Sequence, residues 1–597
     1  MNIEEKDLPK FSKLGVRNFI ELALLIPHAY EDRSLYPQPS LGNNQLIDVE
    51  VLSFSYSSKF IKLRLFSFNF NLEMDAVIFQ PKSYHSRQFM KGTRLFLFGK
   101  VELNFSNLQM VQPKIVTKSG GVVAIYKSKL RADVMQNLVQ KYVNIENLMF
   151  DSLREDVCHS LMSLHFPLAL PVLEELDALK FAELYNHLTL LASKKESYPA
   201  LKSFEADYEP WVKTLPFELT NDQLRAIKKI QKDFSKDVAV KRMVVGDVGS
   251  GKTMVILACA YMAREFGSIL MAPTTVLANQ LFEEAQKFLP DDMKITLVTN
   301  KTKKEDLNQY DFIIGTHALL FRDIKEMAVV MIDEQHRFGT AQRNKLAKML
   351  EKNKKRPHFL QFSATPIPRT QAMINSSLLE VSLIQETPFK KDIDNFVVHK
   401  ADFPDLLEHI KSEIALKHQV LIVYPLVEES EFINYQSIEE ARGFWEKNFE
   451  NVYVTHGKDK EKEQVLVDFR EQGDILLATT VVEVGISLPN LTTVVIVGAE
   501  RLGLSTLHQL RGRVSRTGLK GYAYLYTNVE NSKRLDSFAR TMSGFEIAKL
   551  DLQYRKSGDV LSGNEQSGQS FRFVDMAEDE GIISEVQSYI KENCPQI

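Results

Sequence analysis

The chain is 597 residues long, 44% hydrophobic and 25% charged, with a formal net charge of −3. That is the composition of a globular protein of roughly three to five domains, and any nucleic-acid surface on it must be local. Three scattered cysteines, Cys158, Cys259 and Cys594, exclude a disulfide framework and metal-ligand spacing and fit a reducing cytosol. No apolar run reaches 18 residues and the N-terminus lacks an apolar signal core, so a cytoplasmic protein without membrane association is expected.

In chain order, residues 1–39 read as a helical segment closing in a polar stretch with Pro27 and Pro37. Residues 40–118 change to period two. Phe66, Phe68, Phe70, Leu72 and Met74 alternate with Ser67, Asn69, Asn71 and Glu73, and residues 94–100 read as another strand. With ten Lys and Arg against five Asp and Glu, this basic, aromatic-rich stretch predicts an OB-type β-barrel. Most of its aromatics are expected in the core. Residues 119–214 read as a helical connector, with Leu173, Leu176, Leu179, Leu184, Leu188 and Leu191 at three- and four-residue steps behind Pro171. Two regions of alternating strands and helices follow, 215–390 and 391–528, each implying a parallel sheet with covered faces. Strand candidates of the first end at Val245, Ala272, Gly315, Ile332 and Ser363; those of the second are 420–424, 452–455, 475–478, 494–497 and 522–526.

The chemistry begins at Gly246-Asp247-Val248-Gly249-Ser250-Gly251-Lys252-Thr253, an apolar strand entering a G-x-x-x-x-G-K-T loop from which an apolar helix leaves. Glycines at 246, 249 and 251 let backbone N–H groups of Asp247, Ser250 and their neighbours curl around phosphate, and the helix adds its positive end. Lys252 can reach the β/γ-phosphates of ATP and the Thr253 hydroxyl can hold Mg²⁺. A second apolar strand ends in Asp333-Glu334-Gln335-His336, where Asp333 would hold Mg²⁺ and Glu334 would polarise the attacking water. Ser363-Ala364-Thr365 follows a third strand, and Ser363 and Thr365 are candidates for relaying nucleotide state. The second α/β region has no phosphate loop but offers Gln509-Leu510-Arg511-Gly512-Arg513-Val514-Ser515-Arg516. Its arginines suit charge developing on a transferring phosphoryl group. On a helix Arg513 and Arg516 share a face, while Arg511 points elsewhere and reads as a solvated helix arginine. ATP is therefore expected in the cleft between two α/β domains.

These motifs in this order are those of superfamily 2 helicases. GDVGSGKT, APTTVLANQ, GTHALL, DEQHRFG, SATPIPRT, TTVVEVG and LHQLRGRV, with LIPHAYEDRS near the N-terminus and FQPKSY…KGTRLFLFGKV…LQMVQP in the basic segment, together resemble the RecG branch over nearly the whole chain. The resemblance implies an α/β multidomain fold: two RecA-like parallel-sheet motor domains, an N-terminal OB-type barrel wedge at 40–118, and a C-terminal helical hairpin and hook at 529–597. It implies that Gln223 contacts adenine, that Thr274, Thr275, Thr316 and His317 line the DNA path of the first motor domain, and that Thr479, Thr480 and Glu483 do so in the second. Phe79 and Tyr84 are the candidates for stacking on opened bases, against a core role. Arg555 and Gln566 would belong to the hook. Departures from the family pattern fall at Ser487, Ser515, Lys556 and Glu565.

The activity implied is ATP-dependent translocation on double-stranded DNA that unwinds and remodels branched substrates, stalled forks and recombination junctions, by a cytoplasmic monomer with single-strand binding protein as a candidate partner. A transcription-coupled translocase shares this motor and hairpin. A branch-DNA binder with a decayed motor and an RNA helicase each share part of it, and DNA-stimulated ATP hydrolysis separates them.

Overall fold

The computed structural model describes residues 3–594 except 82–84, 106, 118, 174, 194–196, 304, 325, 365–367, 377–378, 390, 427–434, 458, 460, 480–487, 516–517, 563–570 and some side chains within elements, Arg555 among them. The chain divides into two compact units, residues 1–190 with 570–574 and 581–597, and residues 191–569 with 575–580. Among the described residues no helix is long and apolar enough to cross a membrane.

In the first unit, β1 (Ala29–Asp32) pairs with β8 (Val122–Ile125) as an antiparallel ribbon. Between them lie β2 (Asn44–Tyr56), β3 (Phe60–Ser67), β4 (Leu72–Phe79), β5 (Arg94–Asn104), β6 (Asn107–Val111) and β7 (Lys114–Val116). Neighbouring strands run β2-β3-β4-β6-β5, and β5 pairs back onto β2. Only β4 and β6 are parallel, and the ring so closed is an OB-type barrel. Ile47, Val49, Leu63, Leu65, Leu97 and Val101 fill it, one face of each strand as the pleat demands.

The period-two run at 66–74 is not one strand. It spans the end of β3, a turn that Asn71 closes at φ 54, and the start of β4. Parity is lost at the turn, so Leu65, Phe70 and Met74 are buried while Phe68 faces out beneath the Arg94 guanidinium, 4.1 Å from its ring centroid.

Helices Leu8–Leu14, Phe19–Ala23, Ala132–Tyr142, Ile145–Phe150, Glu155–His165 and most of Leu176–Ala192 complete this unit. The segment 119–214 therefore opens on a strand, and of its leucines Leu179, Leu184 and Leu188 are buried while Leu173 and Leu176 are exposed. The expected C-terminal region 529–597 is also divided, because its last helix, Glu580–Asn593, packs here. Ile583 and Val586 are buried, and the Tyr589 ring lies 5.7 Å from Phe181 and 5.9 Å from Tyr185. The Glu183 carboxylate accepts the backbone N–H groups of Arg572, Phe573 and Val574.

The second unit holds two parallel sheets. The first contains β9 (Lys241–Gly246), β10 (Ser268–Met271), β11 (Ile295–Val298), β12 (Phe312–Gly315), β13 (Val329–Ile332), β14 (His358–Ser363) and β15 (Glu380–Ile384) in the order β11-β12-β10-β13-β14-β9-β15. The second contains β16 (Ile393–Val398), β17 (Gln419–Val423), β18 (Val452–Thr455), β19 (Ile475–Ala478), β20 (Leu491–Val497) and β21 (Gly521–Tyr526) in the order β16-β21-β20-β17-β19-β18. Every residue of β10, β12, β13 and β14 is buried, as parallel strands covered on both faces require. Helix Lys252–Met262 is apolar almost all round and lies inside the core of the first sheet. These are the two RecA-like domains.

One buried charge pair, between β9 and helix Asn221–Phe234, sets a testable cost. Arg242 donates to Asp233 (2.6 Å) and to Ser382 (3.0 Å), and the two charged side chains are nearly inaccessible to water. Replacing Arg242 with Met strands a buried carboxylate that only Lys236 then answers, and should cost about 3 kcal/mol in chemical denaturation. A loss below about 1 kcal/mol would show that the carboxylate finds water instead.

Candidate functional site

β9 delivers the chain into the loop at 246–251, and helix Lys252–Met262 leaves it, Gly249 and Gly251 taking φ of 77° and 73°. L side chains resist that backbone region. A Cβ at Gly246 would strike Ser250 Oγ and one at Gly251 would strike Gln223 Nε2, so the loop is closed to side chains from inside. Lys252 Nζ bonds to the carbonyls of Gly246 and Asp247, each at 3.0 Å, which curls it over the loop. Ser250 Oγ is a buried hydroxyl with no hydrogen-bond partner among the described atoms. Such a cradle of backbone donors with a helix N-terminus behind it fits a triphosphate.

Strand order puts the other acids beside it. β13, β14 and β9 are consecutive neighbours, so Asp333, Ser363 and Gly246 meet at one sheet edge within about 10 Å. Asp333 is buried. Burial first, and then the neighbouring Glu334 charge, push its carboxyl up to about 7, against the pull of Lys252. A carboxylate so starved of solvent suits a divalent cation, for which Asp333 and Thr253, at the start of helix Lys252–Met262, are the candidate ligands. Glu334 sits at φ 48 and its Oε2 accepts the Ala364 N–H at 3.2 Å. Glu334 thus touches the segment after β14 at the Ala364 backbone, and Ser363 itself is buried.

Gln223, expected against adenine, is buried with its amide committed. Nε2 donates to Ser250 O (2.8 Å), and Oε1 accepts the Thr220 N–H (2.8 Å) in a capping box. It braces the phosphate loop. Asp222 beside it accepts the N–H groups of Gln385 and Glu386, pinning helix Asn221–Phe234 to the end of β15.

The arginine motif meets the loop directly. A Cβ on Gly512 would lie 2.5 Å from Val248 Cγ1. Helix Leu504–Arg511 ends before Arg513, so Arg513 is carried by a turn and not by the helical face expected; it is buried. Ser515 in that turn has φ 60, a conformation that favours glycine. Arg511, expected in solvent, is 1% exposed. It donates to the carbonyls of Phe538 (3.3 Å) and Met542 (3.2 Å), and burial lowers its pKa to about 10. Helix periodicity could not show that the helix stops at Arg511 or that the segment after β21 covers that face.

Two residues escaped the sequence reading. His508 lies one turn before Arg511 on the same helix face, the i, i+3 spacing being the available signal. Lys391, between the two sheets in sequence, bonds to Val248 O at 2.5 Å.

Of the DNA-path candidates, Thr274 caps helix Thr275–Phe288 through the Leu277 N–H. Thr316 is buried and its hydroxyl accepts the Ala318 N–H, while His317 beside it is exposed. Thr275 and Thr479 are half-buried. Tyr84, Thr365, Thr480, Glu483, Arg516, Gln566 and the Arg555 side chain lie outside the described residues, as do Ser487, Glu565 and the Lys556 side chain.

On the barrel, Phe79 is 50% exposed at the end of β4 and pairs across the sheet with Phe60, 40% exposed; Phe54 and Tyr56 continue the exposed aromatics on β2. The basic excess is smaller than its count suggests. Lys62, Arg64, Arg94, Lys100 and Lys114 are each paired with an acid.

Residues 220–374 match the DEAD/DEAH box helicase family and residues 402–518 the helicase conserved C-terminal domain. The ATP-dependent DNA helicase RecG of Helicobacter pylori (strain 26695) is 44% identical over 597 residues, 96% of each chain. That of Aquifex aeolicus is 34% identical over 82% of this chain and 70% of its own. Among solved structures, a RecG bound to a three-way DNA junction shares the fold at 24% identity with a TM-score of 0.56, over 99% of this chain and 84% of that one.

The raised pKa of Asp333 has a measurable sign. From an ordinary 3.8 in the unfolded chain to about 7 when folded, its protonation contributes stability that is full below pH 3.8 and lost as the pH rises through 7. Asp333→Asn should therefore melt above the parent at pH 8 in nucleotide- and metal-free buffer, with the gap closing towards pH 4. A gap of equal size at both ends would refute burial as the cause.

Proposed function

The chain belongs to the RecG family of ATP-dependent DNA helicases, and from that premise we propose that it is a double-strand DNA translocase that unwinds and remodels branched DNA, stalled forks and recombination junctions among them. The observation that supports this best is the packing of Gly512 against Val248, because it sets an arginine-bearing segment of one RecA-like domain on the phosphate loop of the other.

Bound in the loop, MgATP supplies the phosphoryl group that passes to water. Lys252 and the N–H groups at 249–253 hold its β and γ phosphates, and Thr253 and Asp333 hold the cation. Glu334 takes the proton of the attacking water. Arg513 and Arg516 meet the charge that develops on the transferring group, a contribution of about 10³–10⁵ in rate for such arginines. Ser363, Thr365, Arg555 and Gln566 pass the cycle to the DNA-facing loops at Thr274, Thr275, His317, Thr479, Thr480 and Glu483.

The barrel at 40–118 acts as the wedge at the branch point. Phe60 and Phe79, paired across β3 and β4 and both exposed, give the opened bases a stacking platform, and Tyr84 remains a candidate for the same role. The protein works in the cytoplasm as a monomer, with single-strand binding protein as a candidate partner.

Lys252→Ala should abolish ATP hydrolysis while fork binding persists, since the lysine faces phosphate and not DNA. Hydrolysis at near-parental rate would sink the nucleotide-site reading. ATPase rates measured in parallel on forked, linear duplex and single-stranded DNA should be highest on forks.

The double variant Phe60→Ala, Phe79→Ala should reduce that fork preference, with each base losing about 1–3 kcal/mol of stacking, and leave duplex-stimulated hydrolysis near parental. Undiminished fork preference would locate recognition elsewhere.

A further inference from the structure

Beyond the groups that face phosphate, the loop carries a carboxylate whose partners arrive from distant parts of the chain. Asp247 is 6% exposed. Its Oδ1 accepts the Val248 N–H (2.6 Å) and faces His508 Nε2 (2.5 Å), and its Oδ2 accepts the Gly544 N–H (2.9 Å). His508 is 1% exposed, and its Nδ1 lies 3.2 Å from Arg511 Nη2. A guanidinium only donates, so Nδ1 accepts, and the ring proton sits on Nε2, aimed at Asp247. Arg511 in turn grips the carbonyls of Phe538 and Met542, on either side of the turn that leads to Gly544. That glycine opens helix Gly544–Ser562, and a Cβ there would lie 2.7 Å from Asp247 Oδ1 and 2.8 Å from His508 Nε2.

We propose that Asp247, His508 and Arg511 are positioning residues that tie the phosphate loop to the base of helix Gly544–Ser562, so that nucleotide affinity and the placement of that helix change together. The inference rests on the loop being the nucleotide site. An ionised carboxylate within a loop built for a polyanion is tolerable while donors face it. Here they are the His508 ring, the Gly544 N–H and, at longer range, the Lys391 ammonium. Any movement of the helix base withdraws the Gly544 donor and, through Arg511, the His508 ring. The Asp247 charge is then left to repel phosphate. By reciprocity, bound phosphate favours the arrangement in which the clasp is made.

The test is titration of a fluorescent ATP analogue into the full chain, with and without linear duplex DNA. The parent should change its affinity when duplex is present. His508→Ala should bind about tenfold more weakly, the scale of one lost charge-assisted hydrogen bond, and should no longer respond to duplex. His508→Gln, whose amide Nε2 reaches the same carboxylate, should restore both properties. Gly544→Ala, whose Cβ crowds both the Asp247 carboxylate and the His508 ring and so displaces the helix base, should reproduce the alanine phenotype. A parent indifferent to duplex would overturn the proposal. So would parental affinity and response in His508→Ala, or a loss that glutamine fails to restore. If Lys252→Ala binds the analogue as tightly as the parent, the nucleotide site is at fault and not the clasp.

Discussion

The bare backbone of Gly512 packed against the Val248 side chain brings the phosphate loop of one sheet within bonding reach of the arginine-bearing turn of the other, and any side chain at 512 would hold them apart. The first sheet presents the phosphate loop at its carboxyl edge, and the turn that meets it lies at the amino edge of the second, where Val514 and Ser515 pack at Gly521 beside the starts of β21 and β16. The acids after β13, the segment after β14 and the loop after β9 then line one wall, and the turn after helix Leu504–Arg511 lines the other. Water is largely excluded from the gap, as the exposure of Asp247, Asp333, His508 and Arg513 shows. Electrostatic contacts there count for more than they would at the surface.

How much of this was legible depended on the range of each interaction. The phosphate loop, the paired acids and the arginine run are local patterns at strand ends, and the candidate strands of both sheets match those observed to within three residues at the ends compared. β11, β15 and β16 were not read as strands. β16 is an edge strand of mixed polarity, half-buried at Asp394 and Asn395 and exposed at Phe396, and carries no continuous apolar run. Arg511 was misplaced because its burial depends on Phe538 and Met542, chain neighbours only in three dimensions. The bracing of the phosphate loop by Gln223, whose amide bonds to its own helix cap and to Ser250, can be read only from the loop's path.

The barrel shows a different limit. Composition registered a basic, aromatic segment, and the OB-type ring is there. Composition does not count pairing, however, and Asp48, Glu73, Asp75 and Glu102 with Glu31 of β1 answer half the cations. What remains distinctive is apolar. Phe54, Tyr56, Phe60 and Phe79 are exposed side chains on three adjacent strands, where a soluble barrel would ordinarily place polar groups.

The return of residues 570–574 and 581–597 to the first unit has a consequence for synthesis. The helices around Phe181 and Tyr185 cannot be covered by Ile583, Val586 and Tyr589 until the ribosome has also made the whole motor. At about 5–20 residues per second, the gap of roughly 380 residues lasts about 20–80 s. During that interval Glu183 has no backbone N–H groups to accept and an apolar face stays open on the nascent chain. The N-terminal unit is begun first and finished last. A ribosome-stalled chain ending near residue 560 should accordingly be cut by protease within 176–192 while its barrel resists, whereas the released protein should be protected at both.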